Sequence, residues 1–308
     1  MDKIKKLLVA LDSSYMDRTL IPYAKFLEEK LPVEKIYFVN IIQNLNVPDE
    51  ILKNYPDLID NAIKEREDVI NDLIHKYYGN AKHADIEIII KTDQTTKFIM
   101  NFAHENDVDL IMMGRKLTLP TSSITIPRLA RRANTNLLII PEGAKPANGN
   151  FLVPIDFSIH SKLALQYAFD IANTYKNSTI TCQNVYNVPT GYHFTGKSKG
   201  EFAKIMKTNA KKNFQVFFKD IEKGKGNVDF EVIYDLDDHD DLTLHIKNLV
   251  DKVKPDWVII GAKGLTTTAA LFLGSFAEKL IHILIDVPLF IARPKGGNEG
   301  LIAFLKEL

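Results

Sequence analysis

Four residues near the end of the chain have the types and spacing of a phosphate cradle. Gly261 and Gly264 bracket Ala262-Lys263, nine residues follow, and Gly274-Ser275 then open a stretch with apolar residues at Ala277, Leu280, Ile281 and Leu284. Apolar residues at that period predict a helix. Glycines let the backbone turn with positive φ and approach a ligand with no Cβ in the way. A helix N-terminus presents unpaired N–H groups and a partial positive charge, which suits phosphate. Ser275 can add a hydroxyl donor at that end. Upstream, the apolar run from Leu152 ends at Asp156, whose carboxylate is placed to accept hydrogen bonds from sugar hydroxyls or a base.

The elements that must position these residues come from a repeat. LVALDSS at Leu8–Ser14 matches LVPIDFS at Leu152–Ser158, and each is followed by a helical pattern, Leu20, Tyr23, Ala24 and Leu27 in one, Leu163, Tyr167, Ala168 and Ile171 in the other. Later apolar runs also pair off: from Lys35 and Ser178, from Asp85 and Val228, from Asp109 and Asp256, from Asn136 and Pro288. Strands alternating with helices imply βαβ crossovers and a parallel sheet. The chain therefore reads as two tandem open, mostly parallel five-stranded sheets with helices on both faces, a Rossmann-like α/β architecture with four helices in each copy. The boundaries expected are 1–143 and 151–294 for the domains, a Pro/Gly/Asn-containing linker at 144–150, and a tail helix at 295–308. The strands look buried on both faces, since runs such as Asp256–Gly261 are apolar rather than alternating. In such sheets ligands bind beyond the carboxyl ends of the strands, where the strand order reverses.

The joint pattern G-x-x-G, nine residues, then G-S, together with V-P-x-D-x-S at Val153–Ser158, resembles the ATP-binding branch of the universal stress protein family. The resemblance covers essentially the whole chain as two tandem domains and is most specific between Asp256 and Pro294. It implies an adenine nucleotide α-hydrolase-like fold and ATP, with or without Mg²⁺, in the C-terminal domain. It implies an adenine pocket near Pro154, Asp156 and the backbone of Val185. It implies further contacts from Ile260 and Gly261, with Gly264, Gly274, Ser275 and Phe276 around the phosphates. It also implies a nucleotide-dependent regulatory role in the stress response, exerted on a protein partner. A slow ATPase and a nucleotide-free interaction scaffold remain as alternatives.

The first copy departs from the pattern. Gly114 survives, but Leu117 takes the place of the second glycine, Ser122-Ser123 replaces Gly274-Ser275, and the loop is shorter by five residues. Ala10 replaces Pro154, while Asp12 is kept. A leucine in a shortened loop should obstruct phosphates, so one ATP per chain is expected.

Other signals point away from chemistry. Lys+Arg and Asp+Glu are each 39, so charge gives no reason to expect nucleic acid or an anionic membrane as partner. No run approaches the ~18 apolar residues of a membrane span, and the N-terminal run breaks at Asp12, so the cytoplasm is the expected compartment. The single cysteine, Cys182, reads as a small buried hydrophobe. Gly191–Ser198 fits G-x-x-x-x-G-K-[ST], yet Pro189 parts it from the preceding strand and Tyr192, His193 and Phe194 crowd it. It reads as a surface connection. The run Asp237–Asp241 reads as a solvated loop whose acids favour the next helix N-terminus, not as a metal site with His245. Arg128, Arg131 and Arg132 read as a wet helix face. Leu301, Ile302, Leu305 and Leu308 give the tail an apolar side that suits docking on its own body or on a second chain. The sequence leaves homodimer formation open.

Overall fold

The apolar runs become parallel strands. The computed structural model describes residues 3–42, 48–79, 83–117, 125–146, 148–237, 241–264 and 273–294. The chain divides into two units, Met1–Pro146 and Ala147–Leu308. The first contains β1 (Lys6–Leu11), α1 (Asp17–Lys30), β2 (Lys35–Ile42), α2 (Asp49–Asn54), α3 (Leu58–Tyr77), β3 (Asp85–Thr92), α4 (Thr95–Glu105), β4 (Leu110–Arg115), α5 (Thr125–Arg132) and β5 (Asn136–Pro141). The second contains β6 (Asn150–Pro154), α6 (Ile159–Ala172), β7 (Ser178–Tyr186), a 3-10 turn at Thr190–Thr195, α7 (Lys199–Phe218), β8 (Val228–Leu236), α8 (Leu242–Val253), β9 (Trp257–Gly261), α9 (Ser275–Ile283) and β10 (Leu289–Ala292).

Within the first unit the strands run in the order β3-β2-β1-β4-β5, and within the second in the order β8-β7-β6-β9-β10. The pairings are parallel: Leu7 lies against Ile36 on one side and Leu110 on the other, and Leu152 against Thr181 and Val258. Each chain path therefore steps outward from its first strand and then returns to that strand's other side. The point of return, between β1 and β4 or between β6 and β9, opens a crevice at the carboxyl ends of the strands. The first unit has one helix more than expected, the short α2 that precedes α3.

The middle strands are buried on both faces, as Leu7, Leu8, Val9, Val258 and Ile259 show with no exposed surface. Strands β3 and β8 are not, whereas every residue of β5 and β10 is buried. In β3 Asp85 and Glu87 are exposed, and in β8 Asp229 and Glu231 are. These alternate with half-buried apolar residues, the pattern of a strand that keeps one face in contact with water. Lys35 ties the first edge down through Asp85 (2.5 Å) and Glu87 (2.9 Å).

Helix starts are fixed by side-chain caps at three places in the second unit. The Ser158 hydroxyl accepts from Ser161 N–H at the start of α6, Ser198 and Glu201 form a reciprocal capping box on α7, and Asp241 accepts from Thr243 N–H on α8. A phenylalanine cluster holds α6 and α7 on the outer strand, with Phe218 stacked on Phe230 at 4.8 Å and Phe169 tilted against it at 5.5 Å. Trp257 stacks on Phe290 in the sheet, ring centroids 6.2 Å apart. Cys182 is fully buried in β7, and burial pushes its thiol pKa well above the usual value, so it packs as a hydrophobe. Among the described residues no helix is long and apolar enough to cross a membrane. The tail at 295–308 lies outside the described residues.

Candidate functional site

Both units make the same turn after their first strand. Asp12 Oδ1 accepts from Ser14 N–H (3.1 Å) and Asp156 Oδ1 from Ser158 N–H (3.0 Å). The residue between them, Ser13 or Phe157, has φ of 59° or 65°. The side chain of the strand-end Asp thus closes the chain into the next helix, and Asp156 stays half-buried at the crevice mouth.

Gly261 ends β9 against the first turn of α6. A Cβ there would stand 2.6 Å from the His160 carbonyl carbon and oxygen. Close packing of helix on strand therefore accounts for this glycine. Gly264 lies beside the acid: its Cβ would be 2.9 Å from Asp156 Oδ2. Gly274 N–H donates to Ala262 O at 2.9 Å, which brings the start of α9 back onto the loop that leaves β9. A Cβ on Gly274 would be 3.6 Å from Gly264 N. Asp156, Gly264 and Gly274 are thus brought together from segments far apart in the chain. The reason given by the sequence for these glycines needs correction. None of Gly261, Gly264 and Gly274 has positive φ, Gly274 lying at −66°; close approach is what Gly261 and Gly264 use, while a Cβ on Gly274 would make only ordinary contacts of 3.4 Å or more.

The other expected contacts sit around this place. Pro154 ends β6, buried and level with Gln183 of β7; Val185 lies two residues further along β7, half-buried; Ile260 is buried just before Gly261. Ser275 is exposed and Phe276 half-buried in the first turn of α9. That turn has no side-chain cap, and its first backbone bond runs from Glu278 N–H to Gly274 O. Among the described residues of the second unit, α6, α7 and α8 each have a side-chain acceptor at the N-terminus and α9 has none.

Three further residues here carry no sequence signal, because they come from three separate segments. His160 is buried under β9; burial, with Lys263 nearby, pushes its pKa down to about 4, so the ring is neutral near pH 7. Its Nδ1 has no hydrogen-bond partner among the described residues. Lys263 is pushed below the usual lysine value by burial and by Arg293. Burial likewise pushes Arg293 down to about 10. Two desolvated cations that repel each other are relieved by an incoming anion. No group of three or more His, Cys, Asp or Glu among the described residues is arranged to hold a metal ion.

The first unit differs from expectation in one respect. Leu117 does not fill the site: its side chain is 52% exposed and lies outside the crevice lining. Lys116 and Met16 line the crevice there instead. Lys116 Nζ sits 2.6 Å from Asp12 Oδ2, and a Cβ on Gly114 would be 2.6 Å from the Met16 methyl. Ser122 and Ser123 lie outside the described residues.

Gly191–Ser198 forms a 3-10 turn closed by Gly196 at φ 71°, and the Ser198 hydroxyl is engaged in the α7 capping box. Asp241 caps α8, but Asp237 is not solvated: its side chain is buried 3.4 Å from His245 Nε2. Asp238, His239 and Asp240 lie outside the described residues. Arg128, Arg131 and Arg132 are exposed on α5.

Two units, each with five parallel strands in the same order, define a tandem Rossmann-like α/β protein. Residues 148–291 match the model of the Universal stress protein family, and the second unit is a domain of that family. Solved structures share the fold through both units. A universal stress protein from Archaeoglobus fulgidus is 15% identical, with a TM-score of 0.63 over 95% of this chain and 99% of that one. A functionally unknown protein from Pseudomonas aeruginosa is 14% identical, with a TM-score of 0.61 over 99% of this chain and 96% of that one. At such identities the likeness is one of fold. No curated protein sequence matches the chain.

Proposed function

We propose that the second unit binds ATP and that the chain acts as a nucleotide-dependent regulatory module of the stress response. The observation that carries this reading is the convergence of Asp156, Gly264 and the α9 N-terminus, which has no side-chain cap among the described residues, beside Lys263 and Arg293. The Asp156 carboxylate accepts from the ribose or base, with Pro154, Val185 and Ile260 forming the adenine wall. Gly264, Gly274, Ser275 and Phe276 surround the phosphates, which receive the first-turn N–H groups of α9. Any Mg²⁺ is held chiefly by phosphate oxygens and water, as that ion prefers. Bound nucleotide alters partner contacts only to the extent that it prefers one conformation of the chain.

Calorimetric titration with ATP tests the reading. Gly274→Val suits the local backbone, since φ −66° and ψ 148° are open to a β-branched residue. It places methyl groups where the phosphates approach, so the expected result is a folded chain without measurable ATP binding. A wild-type chain that takes up no ATP overturns the reading.

A further inference from the structure

The crevice of the first unit is a cleft of about 480 Å³, within the range of roughly 300–1,000 Å³ typical of small-molecule pockets. Aliphatic side chains and methionine, with Leu20, Ile42, Ile99 and Met113 among them, supply about half of its exposed wall, and polar groups supply the rest. Its polar groups are mostly engaged. Lys116 is ion-paired with Asp12, and the Asn40 amide donates to Leu11 O and Ser13 Oγ, both at 3.0 Å. Arg66, half-buried on α3, also lines the cleft and has no ion pair or hydrogen bond among the described residues. The described lining therefore carries one net positive charge: two cations, Arg66 and Lys116, against the single carboxylate of Asp12.

That composition fits a different ligand from the one proposed for the second unit. A polyphosphate would bring several negative charges to a cleft with one uncompensated cation, and desolvated charge without a partner is costly. An apolar body, by contrast, gains on entry in proportion to the area it buries. We propose that the first unit is a binding site for a small, singly charged organic anion with an apolar body, namely a carboxylate on a hydrocarbon chain or ring. Arg66 pairs with the carboxylate, for which its planar fork is suited, and the aliphatic wall takes the body. This proposal is independent of ATP binding in the second unit.

The test is calorimetry on the full-length chain with decanoate and with decylammonium, which share a tail and differ in the sign of the head. Decanoate is expected to bind, with decylammonium weaker by at least about tenfold, since Arg66 pairs with the one head and repels the other. Arg66→Gln keeps the length and helix preference of the position and is expected to weaken decanoate by a similar factor without weakening decylammonium. Ile42→Trp, which fills the half-buried wall, is expected to weaken both. Saturating ATP is expected to leave decanoate binding in place. Failure of decanoate to bind, equal affinity for the two heads, indifference to Arg66→Gln, or displacement of decanoate by ATP would each overturn the proposal.

Discussion

Gly114 and Gly261 hold the same place in the repeat, yet an added methyl meets different obstacles there. At Gly261 it meets the His160 carbonyl, backbone that cannot step aside; at Gly114 it meets the end of the flexible Met16 side chain. Gly261→Ala should therefore cost about 1–3 kcal/mol, the range for overpacking a tight core, and Gly114→Ala clearly less. Urea unfolding followed by the fluorescence of Trp257, the single tryptophan, reads the first, and circular dichroism the second. Equal costs would contradict the assignment. Asp17 supplies a second residue-scale prediction. Burial pushes its carboxyl pKa up to about 6, although the N–H groups of Asp12 and Ser13 donate to it. The folded chain then holds this proton more tightly than the unfolded one. Its stabilising contribution is complete below about pH 4 and is lost as pH rises through 6. The stability of wild type relative to Asp17→Asn should fall by roughly 2–3 kcal/mol between pH 4 and 7, measured by urea titration at each pH; no change would sink the account. At this scale the sequence shows residue types but not their use. A glycine meets the demand for positive φ and the demand for close approach equally well, and only coordinates tell the two apart.

The elements were more legible. Apolar runs from Lys35, Asp85, Ser178 and Val228 become strands beginning at those same residues, since a run buried between helices leaves little freedom of assignment. The outer strands β3 and β8 were misread as buried on both faces because their neighbours in the sheet are invisible in a run of letters. Helix ends depend on single side chains. Ser198 belongs to a capping box rather than to a phosphate loop. Ser198→Ala should thus cost about 1 kcal/mol of stability, within the range for lost caps, and Lys197→Ala nothing. Neither should change ATP affinity in a titration; a weakened affinity on loss of Lys197 would restore a nucleotide role to that loop.

For the whole molecule, duplication was legible from two Asp-terminated strands and the runs that follow them, and the shared strand order carries it through. What the sequence hid is the content of the first crevice. Leu117 is exposed, and Lys116 with Met16 lines the crevice, because the path of a loop rather than its composition decides which side chain faces it. The central claim is an asymmetry: nucleotide in the second unit and none in the first. Native mass spectrometry of the intact chain with ATP tests it most directly. The account predicts a single ATP per wild-type chain and none on Gly274→Val. Two bound nucleotides, none on wild type, or one retained by Gly274→Val would contradict it.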